Sequence, residues 1–102
     1  MDVHFNYVHV SASERLEQFT KEKLSKLEDH YDFIVNADVY FKTENSTANN
    51  QGRICEIRLN LPGPEIFVSN NEENFDKAVY KTISDLKRQL RKRKEKMKAR
   101  AK

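Results

Sequence analysis

The sequence predicts a two-layer α+β sandwich in the order β-α-β-β-β-α, a four-stranded mixed sheet with two helices on one face. Three observations predict it. Apolar residues recur at every second position in four short stretches. Two longer stretches repeat at helical spacing instead, each preceded by polar residues suited to capping. The chain has 102 residues, 37% of them hydrophobic, which is enough for one domain around one small core.

Residues 2–8 open as a strand, with Val3, Phe5 and Tyr7 on one side and His4 and Asn6 on the other. Ser11-Ala12-Ser13-Glu14 fits a capping box, with Ser11 as N-cap and Glu14 three residues on. A helix over about 12–29 follows, its apolar face built from Ala12, Leu16, Phe19, Thr20, Leu24 and Leu27. From Val35 the period returns to two, through Ala37, Val39 and Phe41. Residues 44–51 are small and polar, as hairpin loops are. Cys55, Ile57, Leu59 and Leu61 form a third strand, which Pro62-Gly63-Pro64 ends. Pro64 has no N–H to close a tight turn, so a wider hairpin leads to a short fourth strand over 66–69.

The second helix is predicted to start at Glu72 or Glu73 with Asn71 as cap. Phe75, Ala78, Val79, Thr82, Ile83, Leu86 and Leu90 line one of its faces. Beyond Leu90 that face carries Arg93, Met97 and Arg100, so apolar support thins. Residues 1–92 are therefore expected as one domain and 93–102 as a basic helix end or tail. The strand–helix–strand crossover makes the first two strands parallel, and the short connections make strands two to four antiparallel. Both helices cover one sheet face; Tyr40, Glu56, Arg58 and Asn60 suit the wet one.

One cysteine rules out a disulfide framework and points to a reducing compartment. No apolar run approaches the roughly 20 residues a membrane span needs, and no secretory leader pattern opens the chain. A cytoplasmic protein without membrane partner is the expectation, and the glycosylation-like triplet Asn45-Ser46-Thr47 reads as chance. His4, His9 and His30 have no metal-ligand spacing with Cys55, and Cys55 itself reads as a core thiol. With only Gly52 and Gly63, no glycine-rich phosphate loop exists. Glu72 and Glu73 suit a helix start better than acid–base catalysis. Tyr7, Tyr31 and Tyr40 can stack on bases, but edge-of-core packing is the favoured reading of each. No enzyme, cofactor, metal or small-molecule substrate is expected.

The charge is unevenly placed. Residues 84–102 hold ten Lys and Arg against Asp85 and Glu95, or +8, and the rest of the chain is −5, for a net +3. Such asymmetry suits a polyanionic partner, although a solvated helix end explains it too. On helix two, Lys77, Lys81, Arg88 and Lys92 share one stripe, while Lys87, Arg91, Lys94 and Lys98 share a second. Helix one adds Arg15 and Lys26 on one side, with Lys23 nearer its apolar edge. Rows of charge spaced about 5–6 Å apart can follow a phosphate backbone. Few Asn or Gln accompany them, so readout of backbone and shape is expected, which suits structured RNA. Asp85 interrupts the first stripe.

The element order, the Leu24-Ser25-Lys26-Leu27-Glu28 segment and above all Leu86-Lys87-Arg88-Gln89-Leu90-Arg91-Lys92 resemble the ribosome hibernation-promoting factor family. That family includes protein Y and the proteins called sigma-54 modulation proteins. The resemblance covers nearly the whole chain and is nearest to the short members, as the sequence ends before the dimerisation domain of the long ones. It implies binding to the small ribosomal subunit and its ribosomal RNA, in the mRNA/tRNA channel, and inhibition of translation in stationary phase or starvation. It also implies RNA contacts at Lys23, Lys26, Arg88 and Lys92, and at the basic run Lys94, Lys96 and Lys98. Lys81 and Arg91 join them from the two stripes. Where a lysine is common in the family, this chain has Asp85. A monomer off the ribosome is expected. The alternatives are a protein-interaction module modulating a sigma factor, and a general structured-RNA binder.

Overall fold

A computed structural model describes residues 1–45 and 51–100. The order is β1 (Asp2–Val8), α1 (Glu14–His30), β2 (Asn36–Thr43), β3 (Arg53–Asn60), β4 (Ile66–Glu72) and α2 (Phe75–Arg100). The sheet order is β1-β2-β3-β4, with β1 parallel to β2 and the other two pairs antiparallel. This is the architecture the alternation and helical spacing predict. Residues 46–50 of the 44–51 loop, among them Ser46 and Thr47 of the Asn45-Ser46-Thr47 triplet, fall outside the described residues, as do residues 101–102.

One face of the sheet is dry. Ala37, Val39 and Phe41 of β2 and Cys55, Ile57 and Leu59 of β3 are fully buried. They meet Leu16, Leu24 and Leu27 of α1 and Ala78, Val79, Leu86 and Leu90 of α2 in one core. Phe41 is its centre, with the ring centroids of Phe5, Tyr7 and Phe75 at 6.2, 5.6 and 5.5 Å. Truncating a buried leucine in such a core costs about 2–5 kcal/mol. The two buried threonines are satisfied: Thr20 donates to the Leu16 carbonyl at 2.8 Å, and Thr82 donates to the Cys55 carbonyl at 3.3 Å.

Five local expectations need correction. The N-cap of α1 is Ser13, not Ser11: its Oγ accepts from the Leu16 N–H at 3.2 Å. The reciprocal half of a capping box is supplied by tertiary structure, because the Tyr7 hydroxyl oxygen accepts the Ser13 N–H at 3.4 Å and donates to Glu17 at 2.7 Å. Ala12 accordingly stays outside the helix and exposed. β4 runs on to Glu72, because its polar end has partners: Asn71 takes the Gly52 N–H at 2.6 Å and donates to Glu44 at 2.5 Å. Asn74, not Asn71, then caps α2, accepting the Lys77 N–H at 2.8 Å. Val35 lies outside β2 and is 59% exposed, while Ile34 is buried.

Candidate nucleic-acid interface

The two helices run in the same direction. Arg15 in the first turn of α1 forms a two-pronged ion pair with Asp76 in the first turn of α2, at 2.9 and 3.3 Å. At the other end, Lys94 of α2 donates to the His30 carbonyl that ends α1, at 3.4 Å. Both negative dipole ends therefore lie toward the basic end of α2, which favours cations there. The first turns carry the acids instead: Glu14 and Glu17 on α1, Asp76 on α2.

Between these ends lies a seam with cations on both banks. Lys23 and Lys26 of α1 face Tyr80, Ser84 and Lys87 of α2 across a groove of about 290 Å³. The next hollow, of about 260 Å³, is lined by His30, Tyr31, Arg91, Lys94 and Lys98, with Glu95 as its one acid. The Lys23 ammonium lies 4.9 Å from the Tyr80 ring centroid and 5.4 Å from that of Phe19. The Lys94 ammonium lies 5.5 Å from the Tyr31 ring centroid. Among the described residues, Lys23, Lys26, Lys87, Arg91, Lys94 and Lys98 form no ion pair.

The outer flank of α2 differs. Lys77 pairs with Glu73, Lys81 lies 3.6 Å from Glu72, and Arg88 pairs with Asp85 at 2.5 Å. Lys92 and Lys96 follow Arg88 at four-residue steps and are exposed on that flank. Asp85 is itself held by the Asn70 amide at 3.1 Å. The structure thus brings Lys23, Lys26, Arg91, Lys94 and Lys98 together along the seam. It sets Lys81, Arg88, Lys92 and Lys96 on a second surface, partly neutralised by neighbouring acids. Arg15, expected to extend the cationic surface, is neutralised by Asp76.

Sequence reasoning passed over Tyr80 as an interface residue, although it is 65% exposed. The available signal was its phase: Ser84, Lys87 and Arg91 follow it at four, seven and eleven residues, on one face. Of the tyrosines singled out, Tyr7 packs on Phe41, and burial, with its bond to Glu17, pushes its phenol above the usual range. Tyr31 packs edge-on to Phe33 and lines the seam. Tyr40 lies on the wet sheet face beside Lys42.

Comparison with known proteins gives a consistent picture. The family model described as sigma 54 modulation protein / S30EA ribosomal protein matches residues 3–98. The ribosome hibernation promoting factor of Pseudomonas putida is 32% identical over 96 residues, covering 94% of this chain and 89% of that one. The ribosome hibernation promoting factor of Escherichia coli is 32% identical over 90 residues, covering 88% and 90%. A ribosomal subunit interface protein from Coxiella burnetii superposes with a TM-score of 0.82 at 24% identity, covering 93% and 99%, which shows a shared fold.

Proposed function

The chain belongs to the sigma 54 modulation protein / S30EA ribosomal protein family, that of the ribosome hibernation promoting factors, and on that premise we propose that it is a non-enzymatic ribosome-binding inhibitor of translation. It acts in the cytoplasm, on the small ribosomal subunit. It occupies the mRNA/tRNA channel and holds ribosomal RNA through the helical face of the sandwich. Lys23, Lys26, Arg91, Lys94 and Lys98 supply the main phosphate contacts, and Lys81, Arg88, Lys92 and Lys96 a flanking set. The basic C-terminal run, residues 93–102, reaches along the RNA beyond the body of residues 1–92.

The observation that carries this reading is the seam itself. Cations on two parallel helices face one another and, among the described residues, form no ion pair, so their charge is available to a polyanion. Neutralising phosphates releases condensed counterions, and that release supplies binding free energy that weakens as salt rises. The 26 residues of α2 span about 39 Å, long enough to follow several phosphates.

Sedimentation of ribosomal particles with and without the protein tests the proposal. Co-migration with small subunits at low salt, together with lowered cell-free translation, is the expected result. Co-purification under nuclease treatment of an RNA-free protein partner at physiological salt, with no ribosome binding, would favour a protein-interaction module instead.

A further inference from the structure

We propose that Tyr80 is a stacking platform for an unpaired base, so that the groove between α1 and α2 takes a single-stranded RNA nucleotide rather than duplex backbone alone. The inference rests on the ribosomal RNA-binding reading above and names which RNA chemistry the seam selects.

A tyrosine that stays 65% exposed on a helix otherwise lined with charge serves no core. Its ring stands between two hollows. One is the groove it shares with Lys23, Lys26, Ser84 and Lys87; the other is shallower and is shared with Glu72, Lys77 and Lys81. The groove is about 290 Å³ in volume, just below the roughly 300–1,000 Å³ that hold drug-sized molecules. That size suits one base and its sugar. Ammonium groups stand on both banks, so a base lying on the ring would have its phosphates beside Lys26 of α1 and Lys87 of α2.

In the free protein the Lys23 ammonium occupies the ring face, 4.9 Å from the centroid. An exposed cation–π contact is weak, whereas a base stacked on an aromatic side chain typically strengthens binding about ten-fold. Exchange of the ammonium for a base is therefore favourable, and it leaves Lys23 to meet a phosphate. Duplex RNA presents no free base face, so it gains charge neutralisation from this groove and nothing from the ring.

The test uses the full chain with Tyr80→Trp, Tyr80→Ala and Tyr80→Phe substitutions. Position 80 is exposed, so the fold is expected to tolerate all three, checked by circular dichroism. The parent has no Trp, so Tyr80→Trp emission reports the groove alone. A single-stranded RNA hexamer should quench that emission, and inorganic polyphosphate of equal charge should not. Tyr80→Ala should bind the hexamer about ten-fold more weakly than the parent, with Tyr80→Phe within two-fold of it. Equal quenching by polyphosphate, or undiminished hexamer binding by Tyr80→Ala, overturns the stacking proposal. If the parent co-sediments with ribosomes while the hexamer leaves the emission unchanged, stacking alone fails. If the parent binds neither ribosomes nor the hexamer, the functional reading fails with it.

Discussion

Arg93 donates from Nη1 to the Pro62 carbonyl at 2.9 Å and from Nη2 to the Pro64 carbonyl at 2.7 Å. One side chain thus ties α2, beyond its last buried leucine, to the loop between β3 and β4. The loop is shaped to receive it. Gly63 adopts φ +90, and a Cβ there would stand 3.3 Å from Arg93 Nη1. The helix therefore stays anchored where its apolar face gives out at Leu90.

Breaking this clamp should loosen the end of α2 without unfolding the body. Arg93→Ala is expected to cost about 1 kcal/mol, in the range of hydrogen bonds to a charged donor after discounting for exposure. Amide hydrogen exchange should speed up over residues 91–99 and remain unchanged in β2 and β3. Protection equal to the parent's in that stretch would show that the clamp does not order the helix end.

Ser13 and Ser11 separate cleanly by mutation. Ser13→Ala removes the cap of α1 and should lower stability by about 1 kcal/mol, or roughly 4–8 °C in melting temperature. Ser11→Ala should leave the melting temperature within error of the parent. The reverse pattern would restore the capping box that the sequence suggests.

Asp85 sits in the cationic field and pairs with Arg88. Asp85→Asn keeps an oxygen that can accept hydrogen bonds but removes the negative charge. Affinity for small subunits at low ionic strength should rise a few-fold, read by a binding titration. Unchanged affinity would place the outer flank of α2 away from the phosphates.

Burial pushes the Cys55 thiol from its ordinary 9.0 up to about 12. The folded state thus keeps a proton that the unfolded chain releases. The associated stability is fully present below about pH 9 and is lost as pH rises toward 12. Between about pH 9 and 11 the melting temperature should fall more steeply for the parent than for Cys55→Ala. Parallel slopes would mean that the thiol does not contribute to alkaline unfolding.

The strand alternation of β2 and β3 and the two apolar helix faces were enough to read the fold, because burial on one side of a sheet enforces period two. The element ends were less legible. Ser13 competes with Ser11 as the cap, and the structure decides through Tyr7, six residues away in sequence and on another element. Asn71 reads as a helix cap until its partners Gly52, just before β3, and Glu44, just after β2, are known. At the interface, periodicity identifies two basic stripes on α2 but not which one faces α1. That choice depends on helix packing, which pairs Lys23 with Tyr80 and Arg15 with Asp76 across about sixty residues of chain. Tyr80 became visible as an interface residue only then, beside Lys87 of the second stripe.

The most direct test of the account is the salt dependence of small-subunit binding, compared between the parent and a variant carrying Lys26→Glu, Lys87→Glu, Arg91→Glu and Lys94→Glu. All four residues are exposed, so the fold should persist, checked by circular dichroism. The parent should bind tightly at low salt, and log K should fall linearly with log salt, with a slope of about 0.7–0.9 per phosphate contact. The variant should bind far more weakly, with its slope shallower by about three to four. A folded variant that bound small subunits as tightly as the parent, along the same salt line, would contradict the assignment of the interhelical seam as the RNA-binding surface.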